Sequence, residues 1–419
     1  MPLQDPGTET HRLHRMNFIT PLLRWRALGA LVILTATGLA GCGGGSAAGT
    51  TVESNLIQPL GLSAERVAVG DKLFNEVALS AGGRQSCASC HVKDRGHADA
   101  EGVFLPLGGP ALDRQGLRSS PSLHYMNDNV AFALNAGPGP RGGFTWDGRA
   151  DDRAAQALGP LLAANEMAQP DEAAVVRAVR SLPYYSELAV AYSLPADASD
   201  AQVLQATQLA LHAYQAGDVD YQPYTSKFDA VQRGQASFTA QEQRGLALFN
   251  DPQRGNCASC HSSTPPPGQA LPLFTNFGYF ALGVPRNVST ATADPTFFDM
   301  GLCGPVRTDL SHRTDLCGMF KVPTLRNVAL TAPYFHNGAV ATLEEAVAFY
   351  ATRDSDPARW YPTVGGVVQR FNDLPPAYRG NVTQQAPFGP AAPGGPRLSP
   401  QDVQDIVSFL GTLTDGFTP

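Results

Sequence analysis

Two short segments decide the fold of this chain: Cys87-Ala88-Ser89-Cys90-His91 and Cys257-Ala258-Ser259-Cys260-His261. Both have the spacing CxxCH, in which two thiols can add to the vinyl groups of a haem while the next imidazole turns onto the iron. This order and spacing are dictated by the macrocycle, so the pattern is far more specific than a redox CxxC pair or a zinc site. The sequence therefore predicts two covalently bound haem c groups, with His91 and His261 as iron ligands.

The residues before each CxxCH segment are also repeated. Gly70-Asp71-Lys72-Leu73-Phe74-Asn75 precedes the first and Gly245-Leu246-Ala247-Leu248-Phe249-Asn250 precedes the second, each at the end of an amphipathic helical pattern. Helical patterns continue over residues 171–217, and a turn-rich stretch then breaks the period. We predict an all-α fold of two cytochrome c-like domains, 61–225 and 226–419, with long loops and little strand.

The composition agrees with such a fold and excludes one class of partner. The 419 residues are 43% hydrophobic and only 16% charged, with 42 Gly and 34 Pro, which favours modest helices separated by ordered loops. A net charge of −7 leaves no basic surface to neutralise phosphates, so nucleic acid is not an expected partner.

The first forty residues indicate export. Arg24 and Arg26 precede the short apolar run 27–40, and Leu39-Ala40-Gly41-Cys42 has the pattern of a lipoprotein cleavage site. We expect a signal peptide over 1–41, acylation of Cys42 and a flexible tether over 42–60. A transmembrane anchor is the alternative, but the run is short for a span. The expected location is the periplasm or cell envelope, with a lipid anchor in the outer membrane; either Met1 or Met16 can be the start.

Two later helices have clear start signals. Thr342-Leu343-Glu344-Glu345 is a capping box, which places Tyr350 on the third turn of the helix that follows. Ser399-Pro400 supplies an N-cap and a first-turn proline for a C-terminal helix. Taken alone, Tyr350 would be a core residue with a hydrogen-bonded hydroxyl.

Two cysteines remain, Cys303 and Cys317. They enclose a short loop in an exported chain, so a disulfide is the expected state. A metal site with His312 as a third ligand is the alternative.

Several stretches of the chain resemble the bacterial di-haem cytochrome c peroxidase and MauG family, and the resemblance covers residues 60–415. They are Phe144-Thr145-Trp146-Asp147-Gly148-Arg149; Gln156, Gly159-Pro160 and Glu166-Met167; and Phe320-Lys321-Val322-Pro323-Thr324-Leu325-Arg326-Asn327-Val328-Ala329-Leu330-Thr331-Ala332-Pro333-Tyr334-Phe335-His336.

The resemblance implies unequal roles for the two haems. The first haem would be the site of peroxide reaction and the second a partner in electron transfer, with Trp146 as the bridge between them. Gln156, Pro160 and Glu166 match the distal pocket of the first haem, where Glu166 would move a proton between the peroxide oxygens. Without the resemblance, Glu166 would be read as a solvent-exposed helix-end residue.

The chain departs from the peroxidases of this family in two places. Those enzymes carry a histidine that caps the resting iron, but the matching loop here, residues 104–108, has none, so the first iron is expected to be open. His97 and His124 are weaker candidates for that ligand and are expected to be structural. Tyr350 stands where peroxidases have the methionine ligand of the second haem, and MauG-like enzymes also use a tyrosine there.

The resemblance also implies supporting residues and a third metal. Arg326 and His336 would lie near the second haem, at its propionates. A calcium ion between the domains would use the side chain of Ser119 and the carbonyl oxygens of Thr331 and Pro333, although Ser119 replaces the asparagine of the family and is a weaker ligand.

Loop motifs around Asp299-Met300-Gly301-Leu302-Cys303-Gly304-Pro305 are most similar to the methanobactin-associated (MbnH-like) di-haem enzymes. This similarity implies a hydrogen peroxide-dependent oxidase in which a high-valent state shared by both haems oxidises a partner side chain, a tryptophan converted to kynurenine in a copper-binding periplasmic protein. The alternatives are a cytochrome c peroxidase supplied with electrons by a small cytochrome, and a non-enzymatic di-haem electron carrier.

Overall fold

The fold is described for residues 62–99, 105–135, 137, 139–289, 296–389 and 396–419 of a computed structural model. The predicted signal peptide, the lipid site Cys42 and the tether lie outside the described residues. Within these ranges, no helix has the length and apolar character needed to cross a membrane.

Helices dominate the described part of the chain, as the sequence predicts. They are α1 (Ala64–Phe74), α2 (Cys87–Cys90), α3 (Arg153–Leu162), α4 (Glu172–Arg180), α5 (Tyr185–Ala191), α6 (Asp200–Gly217), α7 (Lys227–Gln232), α8 (Ala240–Asn250), α9 (Leu343–Thr352) and α10 (Pro400–Gly411). The predicted caps are confirmed: the side chains of Thr342 and Ser399 accept hydrogen bonds from the first turns of α9 and α10.

Strand is confined, among the described residues, to three small antiparallel pairs. Leu107–Gly108 (β1) pairs with Arg114–Gln115 (β2), Tyr279–Ala281 (β3) with Met319–Lys321 (β4), and Thr363–Val364 (β5) with Val367–Val368 (β6). In the central pair, Tyr279 lies opposite Lys321 and Ala281 opposite Met319.

The sequence repeat has a physical cause in helix packing. Gly70 of α1 lies against α6, and a Cβ added to it would come within 2.0 Å of the carbonyl oxygen of Ala210. Gly245 of α8 lies against α10 in the same way, with its added Cβ 2.0 Å from the carbonyl oxygen of Asp405. Each glycine therefore permits the close helix crossing that supports one CxxCH segment.

Each half of the chain contains one large apolar cluster. One is built from residues between Val69 and Tyr221, chiefly on α1, α3, α4 and α6, and the other from residues between Phe228 and Leu413, chiefly on α8, α9 and α10. Residues 53–419 nevertheless form one compact unit. The predicted domain boundary near residue 225 stays a prediction.

The loop that carries Trp146 joins the two halves. Gly142 donates a backbone hydrogen bond to Phe277 over 2.9 Å, and Lys321 donates one to the carbonyl oxygen of Trp146, also over 2.9 Å. Gly148 has a positive φ of 63°, and a Cβ there would come 2.0 Å from the hydroxyl oxygen of Tyr279. Only glycine can close this turn against β3.

Candidate active site

The first CxxCH segment folds so that its histidine is oriented for an axial bond. The two cysteines bound α2, and Nδ1 of His91 donates to the carbonyl oxygen of His97 over 2.9 Å. That hydrogen bond fixes the orientation of the imidazole. Burial lowers the pKa of His91, which favours the neutral form that binds a metal.

The second segment repeats this arrangement. A 3₁₀ turn spans Cys257–Ser259, and Nδ1 of His261 donates to the carbonyl oxygen of Phe274 over 3.0 Å. Burial lowers the pKa of His261 to about 4. None of the four cysteines of the two segments is part of a disulfide, so each segment offers two thiols and a neutral imidazole, the groups that covalent haem attachment requires.

A mostly apolar cavity adjoins the second segment. His261, Tyr350, Trp146 and His336 all line it, together with Cys257 and Cys260. Tyr350 is half-buried on α9 and stacks on Phe388, with ring centroids 5.2 Å apart and an interplanar angle of 28°. The structure thus brings together the predicted attachment residues and the predicted tyrosine ligand of the second haem.

Burial also raises the pKa of the Tyr350 hydroxyl, and the positive charge of Arg353 works against that rise. In a dry apolar site the phenolate form requires a strong local cation. A ferric iron held by His261 would be the largest charge in this cavity and would favour that form.

His336 provides a further test of whether a haem fits this cavity. Its ring stacks on Phe320 with centroids 3.5 Å apart, and only 5% of the residue is exposed. Its Nε2 has no hydrogen-bond partner, and the nearest carboxylate, that of Asp373, is 3.5 Å away. An orphaned buried imidazole nitrogen in the cavity wall suits the carboxylate of a bound cofactor.

Trp146 lies in the wall of the same cavity and is held at two points. Its indole Nε1 donates to the carbonyl oxygen of Ser119 over 2.7 Å, and its own carbonyl oxygen accepts from Lys321. Arg118, next to Ser119 in the chain, and Asp147, next to Trp146, form an ion pair. Arg118 donates to Asp147 over 2.8 Å and to Asp299 over 2.6 and 2.8 Å.

This ion cluster of Arg118, Asp147 and Asp299 is almost fully buried. Burial by itself would raise the pKa of Asp147, but the charges of Arg118 and Arg149 outweigh that effect and hold it at about 2. Lys321, also buried, donates from Nζ to the carbonyl oxygen of Gly143 over 2.8 Å, and burial lowers its pKa to about 7. Sequence reasoning missed this cluster because its members are far apart in the chain.

The predicted distal residues of the first haem lie on α3 and the loop after it. Gln156 and Pro160 are one turn apart on α3, and the amide of Met167 donates to the carbonyl oxygen of Pro160 over 3.1 Å. That bond folds the loop back on the helix. The backbone oxygen of Glu166 accepts from Gly109 over 2.7 Å and from the side chain of Gln85.

Glu166 is an exposed residue beside the first CxxCH segment. Its charge acts on both Cys87 and Cys90. Desolvation raises the pKa of Glu166, while Arg149 and Arg118 work against the rise. A carboxyl group with a raised pKa beside the attachment cysteines is suited to acid–base chemistry.

His97 and His124 belong to a buried hydrogen-bonded chain. Asn327 Nδ2 lies 3.0 Å from Nδ1 of His124 and 2.7 Å from the carboxylate of Asp415, and Nε2 of His124 lies 2.9 Å from Nδ1 of His97. The amide nitrogen can only donate, so His124 accepts at Nδ1 and donates at Nε2. Burial lowers the pKa of His97 to about 3 and that of His124 to about 4.

Arg326 is not brought to the second cavity. Its guanidinium is fully buried and donates to both carboxylate oxygens of Asp229 over 3.0 and 2.9 Å, and to the carbonyl oxygen of Pro272 over 2.8 Å. It is absent from the described residues that line the cavity. The arrangement does not support a contact between Arg326 and a haem propionate; the residue forms a structural ion pair instead.

The remaining predicted residues concern a disulfide and calcium. Cys303 and Cys317 are joined by a disulfide, so neither is a metal ligand together with His312. Ser119, Thr331 and Pro333 share the cavity wall. The hydroxyl of Ser119 donates to Asp99 over 2.7 Å, and that of Thr331 donates to the carbonyl oxygen of Val328 over 3.2 Å. The calcium site, which would use carbonyl oxygens at Thr331 and Pro333, stays a prediction.

Comparisons with known proteins show the family of this chain. The family model for di-haem cytochrome c peroxidase matches residues 64–237. Methylamine utilization protein MauG of Paracoccus denitrificans is 33% identical over 363 residues, covering 83% of this chain and 88% of that protein. Cytochrome c551 peroxidase of Pseudomonas aeruginosa is 28% identical over 354 residues, covering 84% of this chain and 80% of that protein.

Solved structures show the same likeness. The diheme peroxidase BthA of Burkholderia thailandensis has a TM-score of 0.77 and 36% identity, covering 84% of this chain and 87% of that one. A MauG-like protein associated with microbial copper homeostasis has a TM-score of 0.60 and 26% identity, covering 85% and 92%. With two oriented CxxCH histidines and a cavity lined by Tyr350 beside the second of them, the chain belongs to the di-haem cytochrome c peroxidase and MauG family of peroxide-dependent haem oxidoreductases.

Proposed function

We propose that this chain uses hydrogen peroxide to oxidise a side chain of a partner protein, a tryptophan that becomes kynurenine. The oxidising equivalents would be shared by both haems through Trp146. The observation that carries this proposal is the placement of Tyr350 in the cavity of His261. A phenolate ligand stabilises oxidised iron, whereas the methionine of a plain electron-transfer haem raises the potential and favours reduced iron.

The first site supplies the groups that peroxide chemistry needs. A haem attached to Cys87 and Cys90 and held by His91 would provide a redox-active iron. Glu166 would take a proton from one peroxide oxygen and return it to the other, because its pKa is raised toward the working pH. Each hydrogen peroxide takes up two electrons and two protons and leaves as two water molecules. Oxidation of the partner tryptophan to N-formylkynurenine releases four electrons and four protons and takes two oxygen atoms from water, so it consumes two peroxides. Hydrolysis by a further water then releases formic acid and leaves kynurenine.

Trp146 and its supports would carry electrons between the two sites. The indole is fixed by its hydrogen bond to the carbonyl oxygen of Ser119. Arg118, which precedes Ser119 in the chain, is fixed by the carboxylates of Asp147 and Asp299. A rigid bridge changes little in geometry when it gains or loses an electron, which lowers the reorganisation that transfer requires.

A second candidate is a peroxidase that removes hydrogen peroxide with electrons from a small cytochrome. The likeness to cytochrome c551 peroxidase of Pseudomonas aeruginosa favours it. Tyr350 and the absence of histidine in the sequence 104–108 favour partner oxidation, because they leave the first iron open and the second hard to reduce.

The proposed partner is a copper-binding protein of the periplasm, in keeping with the likeness to a protein associated with microbial copper homeostasis. The proposed location follows from the export signal: a periplasmic enzyme held to the outer membrane by a lipid on Cys42.

Two assays separate these functions. With hydrogen peroxide and reduced cytochrome c, we expect slow steady-state turnover, whereas rapid turnover would favour the peroxidase. When the enzyme is co-expressed with proteins encoded beside it, mass spectrometry should find a kynurenine in place of a tryptophan in one of them. That product should disappear with Trp146→Phe. A methionine or histidine as sixth ligand on both irons would instead indicate an electron carrier.

A further inference from the structure

The carbonyl groups that orient the two axial histidines come from matching positions in the two halves. The carbonyl oxygen of His97 accepts from Nδ1 of His91, and that of Phe274 accepts from Nδ1 of His261. Both acceptor residues have a left-handed backbone, with φ of 51° and 53°, which is uncommon for a residue with a side chain. Such a backbone persists where its surroundings fix it. The orientation of each axial imidazole therefore depends on what holds the side chain of the residue that supplies the carbonyl.

In the second half, apolar rings hold this side chain. Phe274 is fully buried and meets the edge of Phe249 on α8, with ring centroids 6.0 Å apart and an interplanar angle of 77°. Phe228 meets it at 5.0 Å. In the first half, His97 meets Phe74, which stands where Phe249 stands in the sequence repeat, with nearly the same geometry of 5.9 Å and 76°. The two sites share one frame, and a phenylalanine is sufficient to build it.

The ring of His97 differs because it is polar and is linked by hydrogen bonds to the second half of the chain. Its Nδ1 lies 2.9 Å from Nε2 of His124, and Nδ1 of His124 lies 3.0 Å from Nδ2 of Asn327. Nδ2 of Asn327 also donates to the carboxylate of Asp415 over 2.7 Å. His97, His124 and Asn327 are all buried, so water does not compete for these bonds. These four residues form a cross-half chain.

The direction of every bond in the cross-half chain is fixed. The amide group of Asn327 turns its nitrogen to the carboxylate of Asp415, and its oxygen accepts from the backbone amide of Asp415 over 2.8 Å. His124 therefore accepts at Nδ1 and donates from Nε2 to Nδ1 of His97. The backbone amide of Asn327 donates to the carbonyl oxygen of Leu413 over 3.0 Å. The chain thus begins at a fixed point of the second half and ends at the residue that orients His91.

We propose that the cross-half chain positions the axial ligand of the first haem, so that the second half of the protein tunes the first iron. A carbonyl oxygen that accepts from the N–H of an iron-bound imidazole makes that ligand more basic, which stabilises ferric iron. The carbonyl oxygen of Pro121 also acts on His91, so loss of the chain should weaken this support without removing the ligand. The second haem has no such link, since the ring of Phe274 carries no polar atom. The proposal depends on a haem at His91 and not on which substrate is oxidised.

The reduction potential of the first haem in the purified di-haem protein tests the proposal through His124. His124→Phe keeps an aromatic ring but cannot bond to Asn327 or His97, so the potential of the first haem should rise. Its iron–histidine stretching band in the resonance Raman spectrum should move to lower frequency, while the potential of the second haem stays unchanged. His124→Gln can accept at Oε1 and donate from Nε2, so it should stay close to the wild type.

Three outcomes of this comparison would overturn the proposal: a potential and a band in His124→Phe that equal those of the wild type, equal shifts in His124→Phe and His124→Gln, or equal shifts in both haems. His212→Phe, at a half-buried histidine of α6, is the matched control and should leave both potentials unchanged.

A second pair of variants tests the origin of the effect in the second half, and it stays informative if His124→Phe does not fold. Asn327→Gly removes the amide and tolerates the left-handed φ of 62° at this position, so it should also raise the potential of the first haem. In a His97→Phe background the link is already absent, and Asn327→Gly should then have no effect on that potential. An equal effect of Asn327→Gly with and without His97→Phe, or no effect in either, would contradict the proposal.

Discussion

The indole nitrogen of Trp146 donates a hydrogen bond to the carbonyl oxygen of Ser119 over 2.7 Å. This bond connects the loop that joins the two halves with the residue next to Arg118, and Arg118 in turn pairs with Asp147, the residue next to Trp146. The indole of Trp146 is therefore fixed directly by its bond to Ser119 and indirectly through its chain neighbour Asp147.

The Arg118 cluster should position Trp146. Arg118→Gln leaves the buried Asp299 without its charge partner and leaves Asp147 with Arg149 alone, so the free energy of unfolding should fall by about 3–5 kcal/mol. It should also shorten the life of the oxidised state that peroxide produces. Arg149→Gln, which removes a half-exposed partner of the same Asp147, is the control. A loss of stability with an unchanged lifetime would assign Arg118 a structural role only.

Glu166 should govern the reaction with peroxide. Glu166→Gln keeps the shape of the side chain but removes the acid–base group, so the second-order rate constant measured by stopped flow should fall by about 10²–10⁴-fold. An unchanged rate constant would mean that another group moves the proton. Substitution of the exposed Glu187 to Gln, on α5, is the control.

The pH dependence of that rate should report the raised pKa of Glu166. The carboxylate form accepts the peroxide proton first, so the rate should increase as pH rises through a pKa above the ordinary value for glutamate. Arg149→Gln should move the profile to higher pH, because the positive charge of Arg149 lowers this pKa. A shift to lower pH would contradict the assignment, and the profile should flatten in Glu166→Gln.

Tyr350 should set the character of the second haem. Tyr350→Met should raise the reduction potential of that haem, because a thioether favours ferrous iron and a phenolate favours ferric iron. Redox titration followed by optical and EPR spectroscopy measures the change. Tyr361→Phe, at another buried tyrosine of the same half, is the control. A potential that does not move with Tyr350→Met would exclude the phenolate ligand.

Arg326 should contribute to the stability of the protein and leave the properties of the second haem unchanged. Arg326→Gln leaves the fully buried Asp229 without its ion-pair partner, so unfolding in denaturant should become easier by about 3–5 kcal/mol. The optical spectrum and potential of the second haem should stay as in the wild type. A changed potential would instead place Arg326 at the haem.

Much of this site could be predicted from the sequence because its signals are local. The CxxCH order, the caps Thr342 and Ser399 and the position of Tyr350 on its helix all depend on residues a few positions apart. The close glycine crossings at Gly70 and Gly245 also leave a visible repeat, since the same physical need arises twice.

The rest depends on contacts between distant residues, which leave no local pattern. Arg118 meets Asp299 over 181 positions and Arg326 meets Asp229 over 97, and no periodicity links either pair. The position of Arg326 within the FKVPTLRN stretch suggested a haem contact, but burial of its charge requires a carboxylate, and Asp229 provides one. The contact of His124 with Asn327, over 203 positions, likewise could not be read from sequence.

The most direct test of the central claim is the lifetime of the oxidised state formed when one equivalent of hydrogen peroxide is added to the diferric protein. The account predicts a long-lived state in which both haems are electronically coupled, and a much shorter life in Trp146→Phe and Tyr350→Met. If the wild-type protein returns at once to the diferric state, the chain does not store oxidising equivalents for a partner, and the proposed function is wrong.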